Sequence, residues 1–156
     1  MTDYSVRLMQ DSDLEAVIEL LQAASSNFWS PQLIQESLQS AHDSSVLFCR
    51  STGDREANEI IGYSVIRSVL NECHLLNMAI KKSEQGKGLG SQFLDILIEG
   101  MEPQQSSLFL EVRASNLAAI KLYEKSGFIK TGVRKAYYPK EKSREDAWLY
   151  SLSLSG

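Results

Sequence analysis

The chain is poor in the residues that would staple it or hold a metal. It has two cysteines, Cys49 and Cys73, and two histidines, His42 and His74. These complete no metal-ligand spacing, so no metal site is expected. Each cysteine lies in an apolar, strand-like stretch and reads as a small buried thiol rather than half of a disulfide. Basic excess is lacking too: 16 Lys and Arg against 20 Asp and Glu leave a net charge of −4. A nucleic-acid binder would show a basic balance or stripe, so that class is excluded. No apolar run approaches membrane-spanning length. The opening Met1-Thr2-Asp3-Tyr4 lacks the basic-then-apolar pattern of a signal peptide. A cytoplasmic protein that touches neither membrane nor nucleic acid is the default expectation.

What is present is ordinary globular material. The chain has 156 residues, 43% of them hydrophobic and 23% charged. That is a single domain over residues 1–156, long enough to bury one sizeable core. Ser5 to Met9 reads as a first strand. Ser12-Asp13-Leu14-Glu15 has the form of a capping box, and Leu14, Val17, Ile18 and Leu21 follow at helical spacing. Ser30-Pro31 starts a second helix, to about Ala41, that buries Ile34 and Leu38. Strands are expected over 46–50, 60–69 and 73–80, with a polar hairpin loop from Thr52 to Glu59 and a turn at Asn71-Glu72. Phe93, Leu94, Leu97, Ile98 and Met101 mark the apolar face of a long helix, with Pro103 beyond its end. A strand over 107–112 leads into a helix over 116–125 that is stopped by Gly127. Strands over 129–133 and 147–154 finish the chain, separated by a polar loop from Tyr137 to Arg144. The element order predicts an α/β (α+β) domain: a mixed sheet with helices on both faces.

Gln85-Gly86-Lys87-Gly88-Leu89-Gly90 lies between a predicted strand and a predicted helix. Its glycines permit positive φ and close approach of the backbone to a ligand. The helix N-terminus that follows presents unpaired N–H groups and a partial positive charge. Together these suit a phosphate, although the glycines alone fit a ligand-free tight turn equally well. The dinucleotide fingerprint would need glycine at Ser91. The P-loop would need Ser or Thr after Lys87, where Gly88 stands.

The loop does match Gln/Arg-x-x-Gly-x-Gly/Ala, and so resembles the coenzyme A pyrophosphate loop of the GCN5-related N-acetyltransferase (GNAT) family. A second stretch, Leu110-Glu111-Val112-Arg113-Ala114-Ser115-Asn116, continues to Ala119, Leu122-Tyr123 and Gly127-Phe128. It resembles the branch of that family that acetylates the N-terminal alanine of a ribosomal protein. Phe28-Trp29-Ser30, Tyr137-Tyr138-Pro139 and Arg144-Glu145-Asp146-Ala147 agree as well. The resemblance covers essentially the whole chain and implies the family's mostly antiparallel, seven-stranded mixed sheet. The sequence departs at Lys81-Lys82-Ser83-Glu84, where many relatives carry an Asp-Pro-type turn, and at Gly86, often Arg.

What the resemblance implies is specific. Acetyl-CoA is the co-substrate. It is held by backbone of Met78, Ala79 and Ile80, by the loop Gln85, Gly86, Lys87, Gly88, Leu89, Gly90 and Ser91, and by Asn116. A terminal α-amine has an ordinary pKa of about 7.7–8.0 and must lose a proton before it attacks. The family's base falls on Glu111 and its general acid, which protonates the departing thiolate, on Tyr123. Backbone N–H groups near Met78 to Ile80 suit an oxyanion. Transfer is direct, in a ternary complex, since neither cysteine falls in an activated-nucleophile motif. Tyr138, Tyr137 and Trp29 are candidates to line a peptide groove. The acceptor implied is a protein N-terminus, most specifically the N-terminal alanine of a small-subunit ribosomal protein, acted on by a monomer or weak dimer.

Taken residue by residue, blander roles stay open. Glu111 could be a strand-end ion pair, Tyr123 a core aromatic, Asn116 a helix cap as well as a ligand, and Trp29 the packing at the second helix's entry. Arg113 and Arg134 are read as structural. Another amine (lysine, a polyamine, a small molecule) or a non-catalytic acyl-CoA-binding protein are the competing functions.

Overall fold

The chain opens with a strand that forms one edge of the sheet. The computed structural model describes residues 3–24, 29–54, 57–102, 105–140 and 143–154. Phe28 and Pro103 lie outside them. β1 (Tyr4–Leu8) pairs antiparallel with β2 (Asp43–Asp54), β2 with β3 (Ala57–Val69), and β3 with β4 (Glu72–Ile80). β4 then runs parallel to β5 (Ser107–Arg113), which pairs antiparallel with β7 (Ser143–Ser153), and β7 with β6 (Ile129–Lys140). Among the described residues these strands form one mostly antiparallel, seven-stranded sheet in the order β1-β2-β3-β4-β5-β7-β6.

Among the described residues four α-helices cover its two faces: α1 (Leu14–Ala24), α2 (Pro31–Gln39), α3 (Leu89–Glu99) and α4 (Leu117–Lys125). Val17 and Leu21 of α1 and Ile34 of α2 pack with Leu47, Tyr63 and Val65 on one face. Phe93 and Leu94 of α3 and Ile120 of α4 pack with Phe48, Leu110 and Tyr150 on the other. Phe48 and Phe93 stack with ring centroids 4.8 Å apart and planes within 5°. Such a pair adds about 0.5–1.5 kcal/mol beyond its buried area. Cys49 and Cys73 are buried free thiols, one in each core.

Local chemistry explains the boundaries and corrects some expected ones. Ser30 Oγ accepts the Leu33 N–H at 3.2 Å and Pro31 opens α2, as its sequence predicts. The helix stops at Gln39, short of Ala41, because Ser40 is extended. Ahead of α1 a 3-10 turn occupies Asp11–Asp13, so the cap lies earlier than Ser12: Asp13 Oδ2 accepts the Gln10 N–H at 2.8 Å. Asp13 is itself gripped by Arg7 at 2.8 Å.

In two segments expected to be loops, the described residues belong to strands. In place of a Thr52–Glu59 loop, Ser51 pairs with Asn58 and Asp54 with Ala57. In place of a Tyr137–Arg144 loop, Tyr138 pairs with Glu145 and Pro139 with Arg144. Proline is tolerated there because β6 is the sheet's edge, where a missing N–H breaks no ladder bond.

A bulge between β2 and β3 pairs Phe48 with Gly62 and Cys49 with Ile60, so Ile61 is the extra residue and joins Phe48 in one core. A Cβ on Gly62 would lie 3.0 Å from Phe48 Cβ and 3.3 Å from the Ala79 carbonyl oxygen. Only glycine lets β3 pass this close to its neighbours.

Candidate active site

Parallel pairing of β4 and β5 runs from Glu72↔Ser107 to Leu75↔Leu110 and ends there. β4 continues to Ile80 paired only with β3, and β5 continues to Arg113 paired with β7. The sheet is therefore split from Leu76 onward, and backbone of β4 faces an opening instead of a strand. A groove of about 740 Å³ occupies the opening. Met78, Ala79 and Ile80 line one wall, and α4 lines the other through Ala119, Leu122 and Tyr123.

Gly86 and Gly88 close the end of that groove, with φ of +78° and +80°. A Cβ on either would meet nothing within 4 Å, so glycine is needed there for its backbone conformation and not for room. Gly88 is also the N-cap of α3, and the first intrahelical bond runs from the Gln92 N–H to its carbonyl at 3.2 Å. The N–H groups of Leu89, Gly90 and Ser91 precede that bond and sit at the groove's end. Glu84 is buried beneath the loop between Arg50 at 2.8 Å and Lys87 at 3.1 Å, so its charge is neutralised where an anion would bind.

Tyr123 reaches the groove from α4, its ring edge-on to Phe128 at 5.6 Å. Burial pushes its hydroxyl up to about 12, so the phenol stays protonated. Glu111 stands on β5 just past the last β4–β5 pair, on the opposite face of the strand from the buried Leu110 and Val112. It lines a second cavity of about 430 Å³ together with Tyr137, Tyr138, Arg134 and His74. Tyr138 joins the two cavities electrostatically. Burial first, and then the charge of Glu111, pushes its hydroxyl up to about 12, and Tyr138 in turn raises Tyr123. The site thus has a groove fit for an extended, phosphate-bearing ligand, a separate pocket beside it, a buried neutral acid in the first and a carboxylate in the second.

The model of the acetyltransferase (GNAT) family matches residues 14–128. The chain belongs to this family. Its similarity to individual members extends over nearly its full length. It is 32% identical to the [ribosomal protein bS18]-alanine N-acetyltransferase of Escherichia coli (strain K12), over 97% of this chain and 98% of that one. It is 46% identical to the enzyme of the same name from Haemophilus influenzae, over 64% of this chain and 68% of that one. The crystal structure of the ribosomal-protein-S18-alanine N-acetyltransferase from Escherichia coli matches with a TM-score of 0.87 at 32% identity, covering 99% of this chain and 96% of that one. This GNAT protein is accordingly an N-acetyltransferase.

Within this GNAT domain the residues named from sequence are distributed unevenly. Met78, Ala79, Ile80, Gln85, Gly86, Gly88, Leu89, Gly90, Ser91, Asn116 and Tyr123 line the groove, and Glu111, Tyr137 and Tyr138 line the second cavity. Gln85 contributes as a brace: its Nε2 donates to the carbonyls of Ile80 at 2.9 Å and Ala24 at 3.3 Å. Asn116 Oδ1 caps α4 by accepting the Ala119 N–H at 3.2 Å, which leaves the side-chain NH₂ as the group it can offer. Lys87 lies in the loop but turns its side chain elsewhere. Its ammonium is drawn to Glu84, and it does not line the groove. Trp29 takes the packing position that its sequence also allowed. It packs against the α1–α2 core, the role of a residue at a helix's entry, and lines neither cavity.

Arg113 also lines the groove; its Nη1 donates to the Pro139 carbonyl at 2.8 Å, and its guanidinium lies 4.5 Å over the Tyr138 ring. No sequence pattern announces the Arg50–Glu84–Lys87 cluster, because Arg50 comes from β2, far from the loop in sequence. Among the described residues, no group of three or more His, Cys, Asp or Glu is placed to hold a metal ion. No helix among them is long and apolar enough to cross a membrane.

Proposed function

We propose that this enzyme transfers the acetyl group of acetyl-CoA to the N-terminal α-amine of a protein, in the cytoplasm and by direct attack in a ternary complex. Its acceptor is the N-terminal alanine of a small-subunit ribosomal protein. One observation carries this reading: a carboxylate and a buried, protonated phenol face two adjoining cavities at the split between β4 and β5.

The residues fit the co-substrate. Gly86, Gly88 and the start of α3 form a backbone cradle of the kind a pyrophosphate needs. The free edge of β4 at Met78–Ile80 offers backbone hydrogen bonds to an extended arm. When bound, acetyl-CoA supplies the acetyl group as a thioester. Glu111, directly or through water, takes the proton of the acceptor's ammonium and leaves a nucleophilic amine. Backbone N–H groups of β4 hold the oxyanion. The Tyr123 O–H protonates the departing sulfur. Tyr137 and Tyr138 shape the pocket around the first residues of the acceptor. The names of the relatives from Escherichia coli and Haemophilus influenzae favour alanine as the first residue.

A panel of peptides that differ only in their first residue, incubated with acetyl-CoA and compared by kcat/KM, tests the reading. The alanine peptide should be preferred. Faster acetylation of an internal lysine or of a free polyamine would overturn it.

A further inference from the structure

We infer that the consecutive residues Arg144, Glu145 and Asp146 act as positioning residues, forming a clasp that sets the acceptor pocket by holding Tyr137 and Tyr138 against Glu111. The inference rests on the second cavity being the acceptor pocket. Neighbouring residues of a regular strand point to opposite faces of the sheet. Tyr137 and Tyr138 nevertheless line the same cavity, with ring centroids 5.1 Å apart and planes at 76°.

An irregularity in β6 makes this possible. Arg134 pairs with Ala147 and Tyr138 with Glu145, so Lys135, Ala136 and Tyr137 stand opposite Asp146 alone. Ala136 takes up the slack at φ +52°, a left-handed conformation that is unfavourable for any residue with a Cβ. Ala136 is exposed, so packing does not impose that conformation. The triplet does. Asp146 Oδ1 accepts the Ala136 N–H at 2.9 Å. Arg144 donates from Nε to the Ala136 carbonyl and from Nη2 to the Tyr137 carbonyl, each at 2.8 Å.

Glu145 secures the other ring. Its Oε1 accepts the Ser115 hydroxyl at 2.7 Å and the Ser115 N–H at 3.1 Å, and its Oε2 accepts Arg113 Nη1 at 3.2 Å. Arg113 lies against Tyr138. The Asp146 carbonyl accepts the Ala114 N–H at 3.0 Å, which ties the clasp to the end of the strand that carries Glu111. Three consecutive side chains therefore fix both tyrosines relative to β5.

The test uses Asp146→Ala, the double variant Asp146→Ala/Ala136→Gly, and a peptide with N-terminal alanine. Loss of a hydrogen bond to a charged acceptor should raise KM for the peptide about tenfold. kcat should stay within about twofold, because the loss affects ground and transition states alike. Glycine adopts the left-handed conformation without penalty, so the double variant should recover KM to within about threefold of wild type. Both variants should keep the rise in Tm that acetyl-CoA gives wild type.

An unchanged KM in Asp146→Ala, or no recovery in the double variant, overturns the clasp. Loss of the acetyl-CoA-dependent rise in Tm overturns it also, since the triplet would then support the domain at large. A wild-type enzyme that ignores the peptide overturns the acceptor reading itself, and the clasp with it.

Discussion

Arg134 Nε lies 3.4 Å from Glu111 Oε1, so the carboxylate of the second cavity, the proposed base, has a cationic partner of its own. Both side chains are partly open to water, and a pair of this kind is worth about 0–1 kcal/mol. An incoming ammonium can therefore replace Arg134 at small cost.

Two substitutions separate the partners. Glu111→Gln keeps the shape but cannot take a proton, and kcat/KM should fall by roughly 10²–10⁴. Arg134→Ala should change kcat/KM by less than about tenfold, because it removes only a weak competing pair. Steady-state kinetics on one peptide checks both. A larger loss in Arg134→Ala than in Glu111→Gln would place the essential group on the wrong residue.

Tyr123→Phe keeps the ring against Phe128 and removes only the hydroxyl. kcat should drop about 10²-fold or more, with the acetyl-CoA-dependent rise in Tm retained. The proposed acid would work protonated, and burial pushes its hydroxyl up to about 12. Its ionisation should therefore not reduce kcat at any pH up to about 10, where a free tyrosine would be half ionised. A wild-type alkaline limb below that pH that vanishes in Tyr123→Phe would refute the buried-acid role.

Gly62 and Gly88 should fail in different ways. Gly88→Ala forces a Cβ into φ +80° with nothing to clash against. The penalty is about 1–2 kcal/mol of backbone energy, and it should appear as a raised KM for acetyl-CoA when the loop relaxes. Gly62→Ala pushes a Cβ to 3.0 Å from Phe48 Cβ inside the sheet, and should lower Tm more than Gly88→Ala does. Melting curves and acetyl-CoA titrations of the two variants make the comparison. Equal effects on both readouts would contradict it.

Much of the proposed site is legible in the sequence because its demands are local. Positive φ at Gly86 and Gly88 follows from a strand-loop-helix pattern, and Glu111 and Tyr123 follow from a contiguous stretch that resembles a family. The acceptor side was harder to read. Tyr137 to Lys140 read as a loop because β6 is an exposed edge strand with no buried face to impose alternation, and Pro139 suggested a break. Trp29 is half-buried among apolar neighbours that come from other elements, which its own surroundings in sequence do not show. Nothing around Glu84 in sequence announces the ion pair that Arg50 makes with it once the strands are assembled. The roles of Arg144, Glu145 and Asp146 depend on a register shift that no local pattern announces.

Glu84 gives a test under acid. The Arg50 guanidinium, and next the Lys87 ammonium, hold its carboxyl below the usual carboxylate range. The folded state thus binds this proton more weakly than the unfolded chain. The stabilisation is complete above the unfolded value of about 4.3 and is lost as pH falls through the depressed folded value. Glu84→Gln should have a lower Tm than wild type at neutral pH and a shallower loss of Tm below about pH 4.3. Parallel acid limbs for the two proteins would contradict the cluster's role.

The most direct measurement is tandem mass spectrometry of one peptide that carries both an N-terminal alanine and an internal lysine, after incubation with acetyl-CoA and either wild type or Glu111→Gln. With wild type, a single acetyl group on the α-amine is predicted, and with Glu111→Gln little or none in the same time. Acetyl on the lysine, or equal α-amine acetylation by both proteins, would contradict an N-terminal acetyltransferase whose base is Glu111.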